Sequence, residues 1–332
     1  MDYVKLFDQF SRLRVMVIGD VMLDAYIFGK VERVSPEAPV PVVMVEKRVS
    51  RLGGAANVAL NLKALGAEPI LCSVIGNDDR GREFIDLLSE ESISSDCIIK
   101  SKTRKTTTKN RVIGNKAQLL RVDEEMTDDL SLEEQTNLLT TIFAIIEKQK
   151  IDSIVLEDYN KGVLTSELIS SVIEKARTLN IPVAVDPKKN NFLNFKGATL
   201  FKPNLKELKE GIGIEVQTND IESLTLISEI FHKRYKISCL MVTLSDAGIY
   251  ISRIGKDKIL EHHLVQAYKR NIADVSGAGD TVISVAALCL ACGLDVLQTA
   301  SLSNLAGGLV CEEVGVVPVP REKLLREAVR LL

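Results

Sequence analysis

Six short runs rich in β-branched and apolar residues recur along the chain, at 15–18, 69–74, 153–156, 183–185, 199–201 and 239–243. Between them stand stretches of helical period at 57–65, 81–90, 132–148, 166–179 and 221–235. Strands that alternate with helices must be joined by crossovers, so this order specifies βαβ units around a mostly parallel sheet with helices on both faces. At 332 residues the chain can bury such a core. It carries no repeat, no low-complexity segment and no linker, so residues 1–332 read as a single α/β domain.

Two stretches break the alternation. Residues at about 25–51 carry the Val-Pro-rich sequence SPEAPVPVVMVEKRV, and residues at about 98–123 alternate Thr with basic residues in KSKTRKTTTKNRVI before AQLLRVD. Proline cannot donate to a ladder and suits edge strands. Together the two stretches predict a small sheet projecting from the strand ends of the core, a position suited to a lid.

Charge and composition narrow the chemistry. Lys plus Arg (42) nearly cancels Asp plus Glu (45), so no overall field draws the chain to nucleic acid or an anionic membrane. With three histidines, His232, His262 and His263, proton transfer falls to a carboxylate. The six cysteines form no framework and sit among apolar neighbours, including Cys289 and Cys292 inside an apolar helical run, as reduced core residues of a cytoplasmic protein do. No export leader and no apolar run of the roughly 20 residues needed to span a bilayer is present.

The segment DVSGAGDTVIS (274–284) places Gly277, Ala278 and Gly279 where a loop enters a helix, with Asp280 in the first turn. Unpaired amides and the positive end of the helix dipole suit a phosphate or a developing oxyanion there. The same residues are equally consistent with Ser276 capping the helix and Asp280 complementing its dipole. Upstream, Gly53, Gly54 and Asn57 open the first long helix; the glycines admit a ligand close to the backbone, and Asn57 offers a donor and an acceptor to a sugar hydroxyl. Neither cluster fits the dinucleotide or P-loop glycine patterns.

The two segments, in this order, resemble the two signatures of the ribokinase (PfkB) carbohydrate kinases, and the resemblance covers essentially the whole chain. Asn204 and Glu207 match the N-x-x-E element of that family, and Thr243, Ser245 and Gly248 match its nucleotide loop. GDVMLDAY (19–26), VSPEAPVPVV (34–43), AQLLRVD (117–123), EDYNKG (157–162) and VDPK (185–188) are similar to the branch acting on heptose 7-phosphates. Leu244 departs from that branch, which often has Arg there. Ser284-Val285 departs from the small pair of the general signature.

The resemblance implies a ribokinase-like three-layer α/β/α core with a projecting β lid. It implies transfer of the ATP γ-phosphoryl group to the anomeric hydroxyl of a heptose 7-phosphate, with Asp280 as base and the amides of Gly277, Ala278 and Gly279 holding developing charge. On the sugar side it implies Asp24, Gly53, Gly54, Asn57 and Asp158, with Lys109, Arg111, Arg121 and Lys161 for the distal phosphate. On the nucleotide side it implies Lys188, Asn204, Glu207, Thr243, Ser245, Gly248 and Asn304, with Mg²⁺ reached through waters on Glu207 and Asn204. Some relatives bind a monovalent cation such as K⁺ near the glycine loop, here at 314–317. A homodimer through the lid is expected, and no nucleotidyltransferase activity, since no H-x-G-H-like element follows the kinase. The competing readings are a kinase of the same fold for another sugar, sugar phosphate or nucleoside, and a sugar sensor without catalysis.

Overall fold

The computed structural model describes residues 1–218, 220–255 and 259–332. In chain order its elements are α1 (Tyr3–Phe10), β1 (Arg14–Gly19), β2 (Val21–Val34), β3 (Pro41–Gly54), α2 (Ala55–Ala64), β4 (Glu68–Gly76), α3 (Asp79–Glu90) and β5 (Ile98–Ser101). Then come β6 (Thr108–Gly114), β7 (Ala117–Glu124), α4 (Leu132–Lys148), β8 (Ser153–Glu157), α5 (Ser166–Thr178), β9 (Val183–Asp186), β10 (Leu200–Phe201), α6 (Leu205–Ile212) and α7 (Ile221–Arg234). The chain closes with β11 (Cys239–Thr243), β12 (Ile249–Ile254), β13 (Leu260–Val265), α8 (Ala278–Ala291), α9 (Val296–Val310) and α10 (Arg321–Leu331).

A nine-stranded sheet in the order β13-β12-β11-β10-β9-β8-β1-β4-β5 forms the centre, parallel from β11 to β5, with β12 and β13 added antiparallel. Alternation along β1 shows why it is covered twice. Val15 and Val17 enter a core under α1, α2, α8, α9 and α10, while Met16 and Ile18 enter another under α4, α5 and α7. The three-layer α/β/α architecture follows from strands apolar on both faces.

A second sheet, β3-β2-β6-β7, stands apart as the lid. Pro41 opens edge strand β3, where no ladder donor is missed. The boundary expected at about 98 is corrected: β5 pairs in parallel with β4 in the main sheet, not in the lid. The cause is apolar. Cys97 and Ile98 are buried in the main cores, whereas the Thr-basic stretch begins to pair with β2 only at Thr108. The antiparallel β12–β13 pair was not foreseen; it carries His262 and His263, while His232 is buried against Ile237 and Ser252. The six cysteines are unbridged. Among the described residues no helix is long and apolar enough to cross a membrane.

Candidate active site

The site lies along the carboxyl ends of β10, β9, β8 and β1, where ligands of open parallel sheets bind. Glu157 ends β8 and Asp186 ends β9, and the two are register partners. Lys202 follows β10 and Asp20 follows β1. Asp280 reaches the same place from the first turn of α8, so Glu157, Asp186 and Asp280 converge within 4.8 Å, all buried.

Asp280 is held from two sides. Asn57 Nδ2 donates to its Oδ2 at 2.6 Å and the Tyr159 hydroxyl to its Oδ1 at 2.9 Å. Burial pushes its pKa up to about 6, with the Asp186 charge adding to the effect and the Asn57 and Tyr159 bonds opposing it. A carboxylate with a pKa near 6 is charged at neutral pH yet basic enough to take a proton. Gly277 immediately precedes helix α8, and its φ of 78° lies in the left-handed region that glycine enters without strain. No side chain caps the helix. Ser276 donates instead to Asp274 at 2.8 Å, which removes Ser276 as the cap.

The neighbouring cations balance part of the negative charge. Lys202 Nζ lies 2.8 Å from Asp186, and Lys188 pairs with Glu207 and lies 3.7 Å from Asp186. Burial opposes charging Lys202, but Asp186 and Glu207 hold its pKa above the usual range. Four carboxyl groups, Glu157, Asp186, Asp280 and Glu207, thus stand against two lysines in this cluster. Both Glu157 carboxylate oxygens and Asp186 Oδ1 are buried without a hydrogen-bond partner. Burial and the nearby carboxylates raise Glu157 well above the carboxylate range. Orphaned oxygens on clustered, buried carboxyl groups fit a divalent cation.

Asn204 and Glu207 are committed to each other: Asn204 caps α6 through the Glu207 amide and Glu207 accepts the Asn204 amide, each at 2.8 Å. The unpartnered oxygens that suit a metal are therefore on Glu157 and Asp186. Asn204 also bridges to Thr243, bringing N-x-x-E beside the turn of Ser245 and Gly248. Asn304 donates to Gln266 O at 2.8 Å on the next loop. Asp274, which accepts the Gly315 amide at 3.0 Å, draws residues 314–317 up to the glycine loop.

On the lid side, Asp24 in β2 accepts from Arg111 at 2.6 Å, and Gly53 opposite is free of a Cβ that would stand 2.5 Å from Asp24 Oδ2. Gly54 precedes α2 and Asn57 is turned to Asp280 rather than to open space. Lys161 pairs with Glu125 at 2.7 Å and Arg121 with Asp123 at 3.0 Å on exposed β7. Lys109 differs: it rests over the Tyr159 ring, 5.6 Å from the centroid, and desolvation lowers its pKa. Asp158, grouped with the sugar ligands in the sequence, accepts the Asn160 amide at 2.7 Å and Asn191 at 3.3 Å. Its neighbour Glu157 is the one that stands with Asp280.

Glu157, Asp186, Tyr159, Lys202 and Asp20 are absent from the sequence-based set. The signal for two of them was available: an acidic residue directly after each of two buried, β-branched runs.

The family described as pfkB family carbohydrate kinase matches residues 12–323. The chain is 38% identical over 328 residues to the bifunctional protein HldE of Pelobacter propionicus, covering 98% of this chain and 66% of that protein. It is 40% identical over 315 residues to HldE of Caulobacter vibrioides, covering 95% and 63%. The chain thus spans about two thirds of the length of these bifunctional relatives. In fold it matches Escherichia coli phosphofructokinase-2 in complex with substrates and products (TM-score 0.77, 19% identity, 96% and 99% covered). It also matches Arabidopsis thaliana ribokinase complexed with ribose and ATP (TM-score 0.70, 16% identity, 95% and 98% covered).

Proposed function

The chain belongs to the pfkB family of carbohydrate kinases, and from that premise we propose that it transfers the γ-phosphoryl group of ATP to O1 of D-glycero-β-D-manno-heptose 7-phosphate. The products are the 1,7-bisphosphate and ADP, a step toward ADP-heptose for lipopolysaccharide core. The observation that carries the reading is Asp280, fixed by Asn57 and Tyr159 at a helix N-terminus beside two lysines.

In the reaction the O1 oxygen bonds to the γ-phosphorus, the bond from that phosphorus to the ADP oxygen breaks, and Asp280 takes the O1 proton. Phosphoryl transfer asks chiefly for alignment and charge stabilisation. The first-turn amides at Gly277, Ala278 and Gly279 face the charge on the moving group. Lys188 serves the nucleotide phosphates as a point charge. When bound, Mg²⁺ neutralises the phosphate charge; Glu157 and Asp186 are the residues suited to hold it, with Glu207 and Asn204 behind them. Asp24, Gly53 and Gly54 line the sugar side. Lys109, whose ammonium is unpaired by any carboxylate in the described residues, serves the distal phosphate.

A substrate panel tests the assignment. Heptose 7-phosphate is expected to exceed fructose 6-phosphate and ribose in kcat/KM by about 10² or more, since a site built for polar groups rejects analogues that leave them unpaired. Equal or better turnover of another panel member refutes it, and absence of sugar-dependent ATP turnover favours the sensor reading. Lys109→Ala is expected to raise the KM for the phosphorylated sugar about tenfold, the scale of one charge-assisted bond, with kcat little changed.

The lid also supplies the surface for a homodimer. Met44 on β3 and Leu120 and Val122 on β7 are exposed on its edge strands, where an uncovered apolar ladder invites pairing. Sedimentation of the wild type as a dimer, and of Leu120→Lys with Val122→Lys as a monomer, is the expected outcome; a monomeric wild type removes this assembly.

A further inference from the structure

One side chain touches all three parts of the proposed machinery. The Tyr159 hydroxyl donates to the base Asp280 at 2.9 Å. The ring of the same residue lies under two cations, Lys109 of lid strand β6 at 5.6 Å and Lys188 of the nucleotide side at 5.3 Å from its centroid. Both distances are within the roughly 6 Å over which a ring quadrupole attracts an ammonium. The phenol stands beside the Glu157, Asp186 and Asp280 cluster, and its hydroxyl donates into it at Asp280.

The backbone beneath it is fixed. Asp20, buried after β1, accepts the amides of Tyr159 at 2.8 Å, Lys161 at 3.0 Å and Val163 at 3.0 Å. Asn160 at φ 55° and Gly162 at φ 85° turn the loop tightly around it. Tyr159 therefore presents its ring and hydroxyl from a rigid mount rather than from a mobile tip.

We propose that Tyr159 is the positioning residue that sets the base and the two substrate-side cations in register: its hydroxyl aims Asp280 at the sugar oxygen, and its ring seats Lys109 and Lys188 where the two anionic substrates arrive. This rests on the kinase reading above and extends it to a group that meets the reacting atoms only through Asp280. Lys188 has Glu207 and Asp186 to hold it as well. Lys109 forms no ion pair with a carboxylate among the described residues, so the ring matters more to the sugar phosphate than to ATP.

Two variants separate the roles of hydroxyl and ring. Tyr159→Phe keeps the ring and is expected to lower kcat about tenfold with both KM values within about twofold of wild type, because misaligning one group costs rate rather than binding. Tyr159→Leu is expected to lose kcat to the same extent and also to raise the KM for the sugar phosphate at least fivefold. The assays use whichever sugar phosphate of the panel the wild type turns over best, with ATP. A wrong substrate assignment then shows in the wild type, and a wrong role for Tyr159 shows only in the variants. A Tyr159→Phe enzyme with kcat within twofold of wild type overturns the hydroxyl's role; a Tyr159→Leu enzyme with the KM of Tyr159→Phe overturns the ring's.

Discussion

Replacing Asp280 by asparagine is expected to lower kcat by about 10²–10⁴ while ATP and sugar phosphate still bind, and to leave the protein at least as stable as the wild type at pH 8. The two halves share one cause. Burial raises the Asp280 pKa to about 6, so the folded state favours the neutral form more than the unfolded chain does. A raised pKa contributes stability that is in place below the ordinary carboxylate range and is lost as pH rises through about 6. At pH 8 the wild type therefore carries a charged, buried carboxylate at a cost of about 3 kcal/mol. Asparagine removes that cost, although its amide nitrogen then faces one of the donors Asn57 and Tyr159, which offsets part of the gain. Thermal scans should show the variant's midpoint above the wild type's at pH 8 and the gap closing toward pH 4. In the wild type, kcat/KM should fall about tenfold per pH unit below 6 as the base protonates. Near-normal turnover in Asp280→Asn would remove Asp280 as the base.

Asp20→Ala is expected to be the most destabilising single change near the site. Its carboxylate receives the amides of Tyr159, Lys161 and Val163, and each buried donor left without an acceptor costs about 1–3 kcal/mol. Burial raises the Asp20 pKa against the pull of those amides, so removing the charge returns part of the loss. A net destabilisation of about 3 kcal/mol is expected, which for a domain of 332 residues lowers the midpoint by roughly 4 °C. The amides of Tyr159, Lys161 and Val163 should exchange hydrogen faster, and kcat should fall because Tyr159 loses its mount. Asp20→Asn, which keeps an acceptor oxygen, should lie between the two. A midpoint within 2 °C or so of wild type for Asp20→Ala would show that the three amides find other partners.

The sequence and the structure agree where function is written as local spacing. The six apolar runs are strands of the central sheet, and Asp280 stands in the first turn of an apolar helix as the GAGD segment specified. What the sequence concealed is adjacency. Glu157 and Asp186 lie far apart in the chain and become neighbours only because β8 pairs with β9. Of two consecutive acids at 157 and 158, sequence alone could not tell which would turn inward, since strand register decides it. A lone tyrosine after a strand, such as Tyr159, carries no spacing signal. Its role comes from β6, the β9 end and α8 meeting over one ring. The lid boundary failed for a related reason: the hydrophobic content of β5, rather than its place beside basic residues, chose its sheet.

The lid is joined to the core without a hinge. Only Asp20 separates β1 from β2, and β3 runs through Gly54 directly into α2. Each of these strands is 14 residues long, so the lid reaches out about 45 Å from its root along a ladder whose register shifts at Phe28/Gly29 and Val31/Arg33. Such a body acts as a cantilever. A load at its tip is borne as torsion at the clamp, and the clamp contains Asp20, Gly53 and Asn57, the last hydrogen-bonded to Asp280. Asp24, Gly53 and Lys109 stand at this root, so a substitution that retunes sugar recognition there bears on the chemistry as well.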